Sequence, residues 1–322
     1  MENRSSRRRI LQSGAAIALG SAILAGCDRG GGNGAPSAGS PTPTPTLTPT
    51  PTPTPTPASP AIGTQAERDL MNFALNILYL EAQFYSYAVT GQGLPAGALT
   101  GTGTAGAASG GRQNTFESSG IAERFREINY DTAGQVTLFR ELLGNEAIAQ
   151  PTIDLAVNAG PFGVIGRSIS DSALDPYAND LSLLLAAFYL IEPSLTVLKR
   201  AAWQITTKQL ADAVTAVVAA KAGHAGMIRL QLIKANFAIL NHVQIAHCVM
   251  RMSDLRERLG ETVDVDESLS KSGVGTVFSP ASDAGYFPER TPAQARPIYL
   301  LAAPTIDRGG FFPNGMNGNL AR

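Results

Sequence analysis

Three ionisable side chains fall on stripes that helical spacing marks as buried. Glu81 sits between Leu80 and Ala82, four residues before Tyr85. Glu192 directly follows Phe188-Tyr189-Leu190-Ile191, and His224 lies three residues after Lys221, flanked by alanine and glycine. Asp131 and Gln135 stand one turn apart on another periodic run. A charge on a buried stripe is costly unless it is paired or bound to a metal. One such group per helix is the arrangement of a metal site inside a four-helix bundle. Two carboxylates and an imidazole suit iron, manganese or zinc.

The elements that must position these groups read as helices. Residues 64–89 contain neither proline nor glycine, and their apolar positions recur at three and four. Thr64 followed by Glu67 is a capping-box signature. A second run covers about 117–143 and stops at Gly144. A third starts near Tyr177 and continues to about 206, a fourth spans about 208–235, and a shorter fifth covers about 241–259 and ends at Gly260. Alternation of period two is scarce, so the class is all-α, with an irregular tail. Pro193 should kink the third helix, or else Glu192 caps a break between two shorter ones. Residues 91–116 are rich in Gly, Ala, Thr and Ser and read as a mobile loop. Trp203 and Tyr189 read as core or helix-packing aromatics, and Cys248 as a buried small hydrophobe. His242 and His247 read as surface or capping groups. Residues 310–315, Gly-Phe-Phe-Pro-Asn-Gly, read as a turn that docks two aromatics on the bundle.

The N-terminus carries the sharpest signal. Arg7 and Arg8, followed by Arg9-Ile10-Leu11, resemble a twin-arginine export signal, and Leu24-Ala25-Gly26-Cys27 resembles a lipobox. The apolar stretch between them is too short to span a bilayer. Residues 1–26 are therefore expected to be a signal peptide, with Cys27 carrying a diacylglycerol whose two chains give stable anchoring. Residues 27–63 read as a Gly-rich and Thr/Pro-rich stalk, extended as polyproline II over 41–57. The expected location is the cell envelope, on the outer side of the cytoplasmic membrane, which is the periplasm in a Gram-negative cell. The whole chain has a formal charge of −1. Removing the signal removes Arg4, Arg7, Arg8 and Arg9 against Glu2 alone, so the mature chain is acidic and lacks a basic footprint for nucleic acid. Protein or cell-wall partners are not legible. With Cys27 lipidated, Cys248 has no disulfide partner.

Five segments carry a family resemblance. LNILYLEAQFYSYA, REINYDTAGQVTLFRELLG, AAFYLIEPSLTVLKRAA and AAKAGHAGMIRLQL resemble the four helices of the ferritin-like family that includes desiccation-related proteins. ERTPAQARPIYL followed by GGFFPNGMNG resembles that family's C-terminal segment. The likeness covers about residues 64–322. It implies a ferritin-like four-helix bundle over 64–260 with an extra helix, and a C-terminal extension over 261–322 packed on it.

A ferritin-like di-iron site takes a Glu from each of two helices and Glu-x-x-His from each of the other two. By position, Glu81 and Glu192 are the lone glutamates. The second helix reads Thr132-Ala133-Gly134-Gln135, and the fourth reads Lys221-Ala222-Gly223-His224. Glu81, Glu192 and His224 survive; Thr132, Gln135 and Lys221 mark lost ligands. Lys221 should replace one metal ion electrostatically, through a buried salt bridge to Glu81 or Glu192. The leading expectation is a non-enzymatic envelope lipoprotein with a degenerate di-iron site, tied to stress or desiccation. The alternative is a protein that binds one iron or manganese ion through the residual ligands; iron is a cofactor only in that case. A glycan-binding module is a third reading.

Overall fold

The computed structural model describes residues 60–262, 265–271, 275–279 and 285–321. Arg7, Arg8, Cys27 and residues 27–59 of the stalk lie outside the described residues.

Seven helices follow one another among the described residues: α1 (Gln65–Thr90), α2 (Ser119–Leu143), α3 (Pro161–Ser170), α4 (Asp180–Gln204), α5 (Lys208–Lys234), α6 (Ile245–Gly260) and α7 (Pro292–Leu300). The four long ones, α1, α2, α4 and α5, form the bundle. α1 lies along α2 and α4, and α4 along α5, while α2 and α5 touch more sparsely. Contacts at the helix ends place α1 antiparallel to α2 and α4: Ile62 N–H donates to the Leu142 carbonyl, and Glu67 bonds the turn that follows α4. The short strands pair as β1 (Ala108–Ser109) with β2 (Ile153–Asp154), β3 (Ile239–Leu240) with β4 (Val243–Gln244), and β5 (Ser270–Lys271) with β6 (Gly275–Thr276). The first pair is parallel, with Ala108 opposite Ile153.

Local signals explain the helix ends. Thr64 caps α1 in a complete capping box with Glu67, and Gly91 ends it in the left-handed region at φ 75°. Asn179 caps α4 through the Ser182 N–H. α4 is long and apolar enough to cross a membrane by composition, with a mean hydropathy of 1.8, yet 94% of that window is buried. It is the central helix of the core. It runs through Pro193 as one helix, so Glu192 does not cap a break. Pro193 removes the donor for one carbonyl, and the buried surroundings of α4 hold the helix together.

Three expectations are corrected. Residues 91–116 are held against the bundle: Tyr79 OH donates to the Ala98 carbonyl, and Gly106 N–H to the Gln150 carbonyl. Glycine permits this approach, since a Cβ at Gly106 would stand 2.2 Å from Thr152 N. Helix α3, which sequence periodicity did not reveal, lies under the tail. There Phe162 stacks edge-on to Phe311 with ring centroids 5.1 Å apart. Trp203 is not a core residue; it is 78% exposed. Tyr189, Cys248, Phe311 and Phe312 are fully buried, and His242 and His247 are exposed.

Candidate functional site

The bundle centre is built from α1, α4 and α5. Glu81 points inward from α1, and the ammonium of Lys221 on α5 donates to its Oε2. The Lys221 and Glu81 side chains are 1% and 0% exposed. Ser194, on α4, donates to the same Oε2 at 3.2 Å. Glu81 Oε1 and Tyr85 OH, one turn apart on α1, have no protein partner. Burial pushes the Glu81 carboxyl up, and the ammonium of Lys221 and the Ser194 hydroxyl pull it back. Burial, and then the nearby Glu81, raise the Tyr85 phenol well above its ordinary value.

Glu192 belongs to a different network. Arg229 Nε lies 2.5 Å from its Oε1, and Arg256 Nη2 lies 2.7 Å from its Oε2. Arg256 Nε also pairs with Asp266 at 2.9 Å, and Arg290 pairs with the other Asp266 oxygen. All five side chains are buried. Arg229 and Arg256 lie against Phe188, with guanidinium carbons 5.3 and 4.5 Å from its ring centre. This cluster ties α4, α5 and α6 to the C-terminal extension.

His224 faces the groove between α2 and α5. Its Nε2 shares a hydrogen bond with Asp131 Oδ2 at 3.0 Å. Burial, and then the charge of Lys221, lower its pKa, and Asp131 opposes them. Of the lost-ligand positions on α2, Thr132 donates to the Ile128 carbonyl at 2.7 Å. Gln135 is buried, with its Oε1 unpartnered.

The structure therefore does not bring Glu81, Glu192 and His224 together: each is held by a different partner. Among the described residues, no group of three or more His, Cys, Asp or Glu side chains could hold a metal ion. The residues present do not fit a di-iron centre. Its positive charges need about four carboxylates, and here one carboxylate faces an ammonium. The Arg229–Glu192–Arg256–Asp266–Arg290 cluster escaped sequence reasoning. Its one sign in the sequence was Glu192 on an apolar stripe, since Asp266 and Arg290 come from irregular chain and Arg229 and Arg256 are not marked out by spacing.

A ferritin-like domain model matches residues 66–234. The chain is similar to the desiccation-related protein PCC13-62 of Craterostigma plantagineum, 25% identical over 79% of this chain and 84% of that protein. It is also similar to the ferritin-like catalase Nec2 of Nesocodon mauritianus, 24% identical over 80% of this chain and 86% of that one. No solved structure matches it. The matched region takes in α1, α2, α4 and α5, the four helices of the bundle, and with more than half of its length covered the chain belongs to the ferritin-like family.

Proposed function

We propose that this chain is an envelope lipoprotein, anchored at Cys27, whose ferritin-like bundle works without a metal centre in tolerance to water loss or related stress. The carrying observation is the buried ion pair of Lys221 with Glu81. A fixed ammonium supplies positive charge inside the bundle and repels a cation placed beside it. The desiccation-related relative supports the stress role. The catalase relative raises a redox reading for its own chain. Here the donor set counts against one, because Glu192 is engaged by two arginines and His224 by Asp131. Arg7 and Arg8 as the export signal and Cys27 as the lipid site rest on their sequence pattern.

Thermal unfolding tests the metal-free reading. A metal that binds only the folded state at a hundred times its Kd adds about 2.7 kcal/mol. The melting temperature should be the same in chelator and in excess iron or manganese. A rise of several degrees with either metal would sink the reading. Membrane fractionation of a Cys27→Ser variant tests the anchor separately.

A further inference from the structure

Trp203 is the only tryptophan in the chain. It stands on the last turn of α4, and Tyr286, which is 59% exposed, stands near it. Lys199, one turn before Trp203, holds the two rings together. Its ammonium lies 5.4 Å from the Trp203 ring centre and 4.8 Å from that of Tyr286. The same ammonium donates to the Phe287 carbonyl and lies 3.9 Å from Glu289, which Arg200 also holds at 2.8 Å. Both rings are thus fixed in place and left uncovered. An ordered pair of large exposed aromatics marks a contact surface.

Its position says which contact. Glu67 at the start of α1 accepts from the N–H groups of Thr206 and Thr207, three and four residues beyond Trp203. Ile62 is bonded to the end of α2 at this same end of the bundle. The described chain therefore enters the bundle at the Trp203 end.

We propose that the Trp203–Lys199–Tyr286 cluster is a lipid-contact surface that rests this end of the bundle on the membrane that carries the anchor. The inference depends on the anchoring of Cys27. Indole and phenol rings have an apolar body and a polar tip, and they settle at the headgroup level of a bilayer. Two rings would bind a free protein weakly. A tether to the same surface makes the contact intramolecular, so a weak affinity suffices wherever the stalk bends enough for the rings to reach lipid.

The sole tryptophan provides the test. The full-length lipidated protein is incorporated into phosphatidylethanolamine–phosphatidylglycerol vesicles with and without bromine on the acyl chains. The expected result is a blue-shifted emission with roughly twofold quenching by brominated lipid, as for a headgroup-level indole. In a Tyr286→Ala variant the quenching should be weaker. Protein that floats with the vesicles while Trp203 stays unquenched and open to acrylamide would overturn the contact and leave the anchor intact. Protein that fails to float would overturn both. Shielding of Trp203 by isolated cell-wall glycan, but not by vesicles, would overturn the lipid assignment in favour of a glycan.

Discussion

Lys221 of α5 and Glu81 of α1 meet across the bundle axis, and Ser194 of α4 shares the same carboxylate oxygen. Removing one partner of such a pair leaves an uncompensated buried charge, which costs ~3–5 kcal/mol, whereas removing both can be neutral. Lys221→Met should therefore lower the urea midpoint strongly without changing the m-value. The double variant Lys221→Met with Glu81→Leu should recover most of the loss. A single variant as stable as the parent would show that the pair carries no such role.

Lys221 is also read out by its neighbour. Burial comes first and the ammonium second in lowering the pKa of His224. The sign follows from that direction. A depressed histidine favours the neutral form, so its contribution to stability is full above the ordinary value of about 6.5 and fades as pH falls below it. NMR titration of Lys221→Met should show the His224 pKa moving up. An unmoved pKa would mean that no positive charge stands at position 221.

Glu67 closes the bundle end. It accepts from the N–H and hydroxyl of both Thr206 and Thr207, at 2.7 to 3.0 Å, as well as from Thr64. These bonds, with the Thr64 and Thr207 N–H groups foremost, hold its carboxyl far below the ordinary 4.5. A depressed carboxylate adds stability above its unfolded pKa and loses it as pH falls below. The parent should therefore weaken below about pH 4.5. Glu67→Gln should cost ~1.5–3 kcal/mol at neutral pH, the value of hydrogen bonds to a charged group. Its acid slope should also be flatter. Chemical denaturation at several pH values measures both.

α1 and α2 were legible because their apolar residues keep a period near 3.6 over six turns, and α4 because it is apolar along most of its length. α3 and α7 were not legible, being ten and nine residues long and opening on Pro161 and Pro292. The Lys221–Glu81 pair could be anticipated because both charges lie on buried stripes. The place of Glu192 could not. Its partners Arg229 and Arg256 come from α5 and α6, far away in sequence, and only tertiary packing joins them. Trp203 reads as core by type, but its position on the last turn leaves it outside the groove that α4 fills.

Cys248 supplies a clean probe of folding. Burial pushes its thiol up to about 11, so the reactive thiolate is scarce at neutral pH. Labelling by a thiol reagent should be slow in the native protein and should become fast at the unfolding midpoint. Rapid labelling under native conditions would contradict the packing of α6.

Metal content tests the central claim most directly. The full chain is purified without chelator or affinity-tag metal, supplied with iron and manganese, desalted, and analysed by mass spectrometry for metal per chain. An ammonium facing a single carboxylate predicts less than about a tenth of an ion per chain. About one or more ions per chain, lost in His224→Ala or Glu81→Gln, would contradict the account and show that the ligands converge on a metal after all.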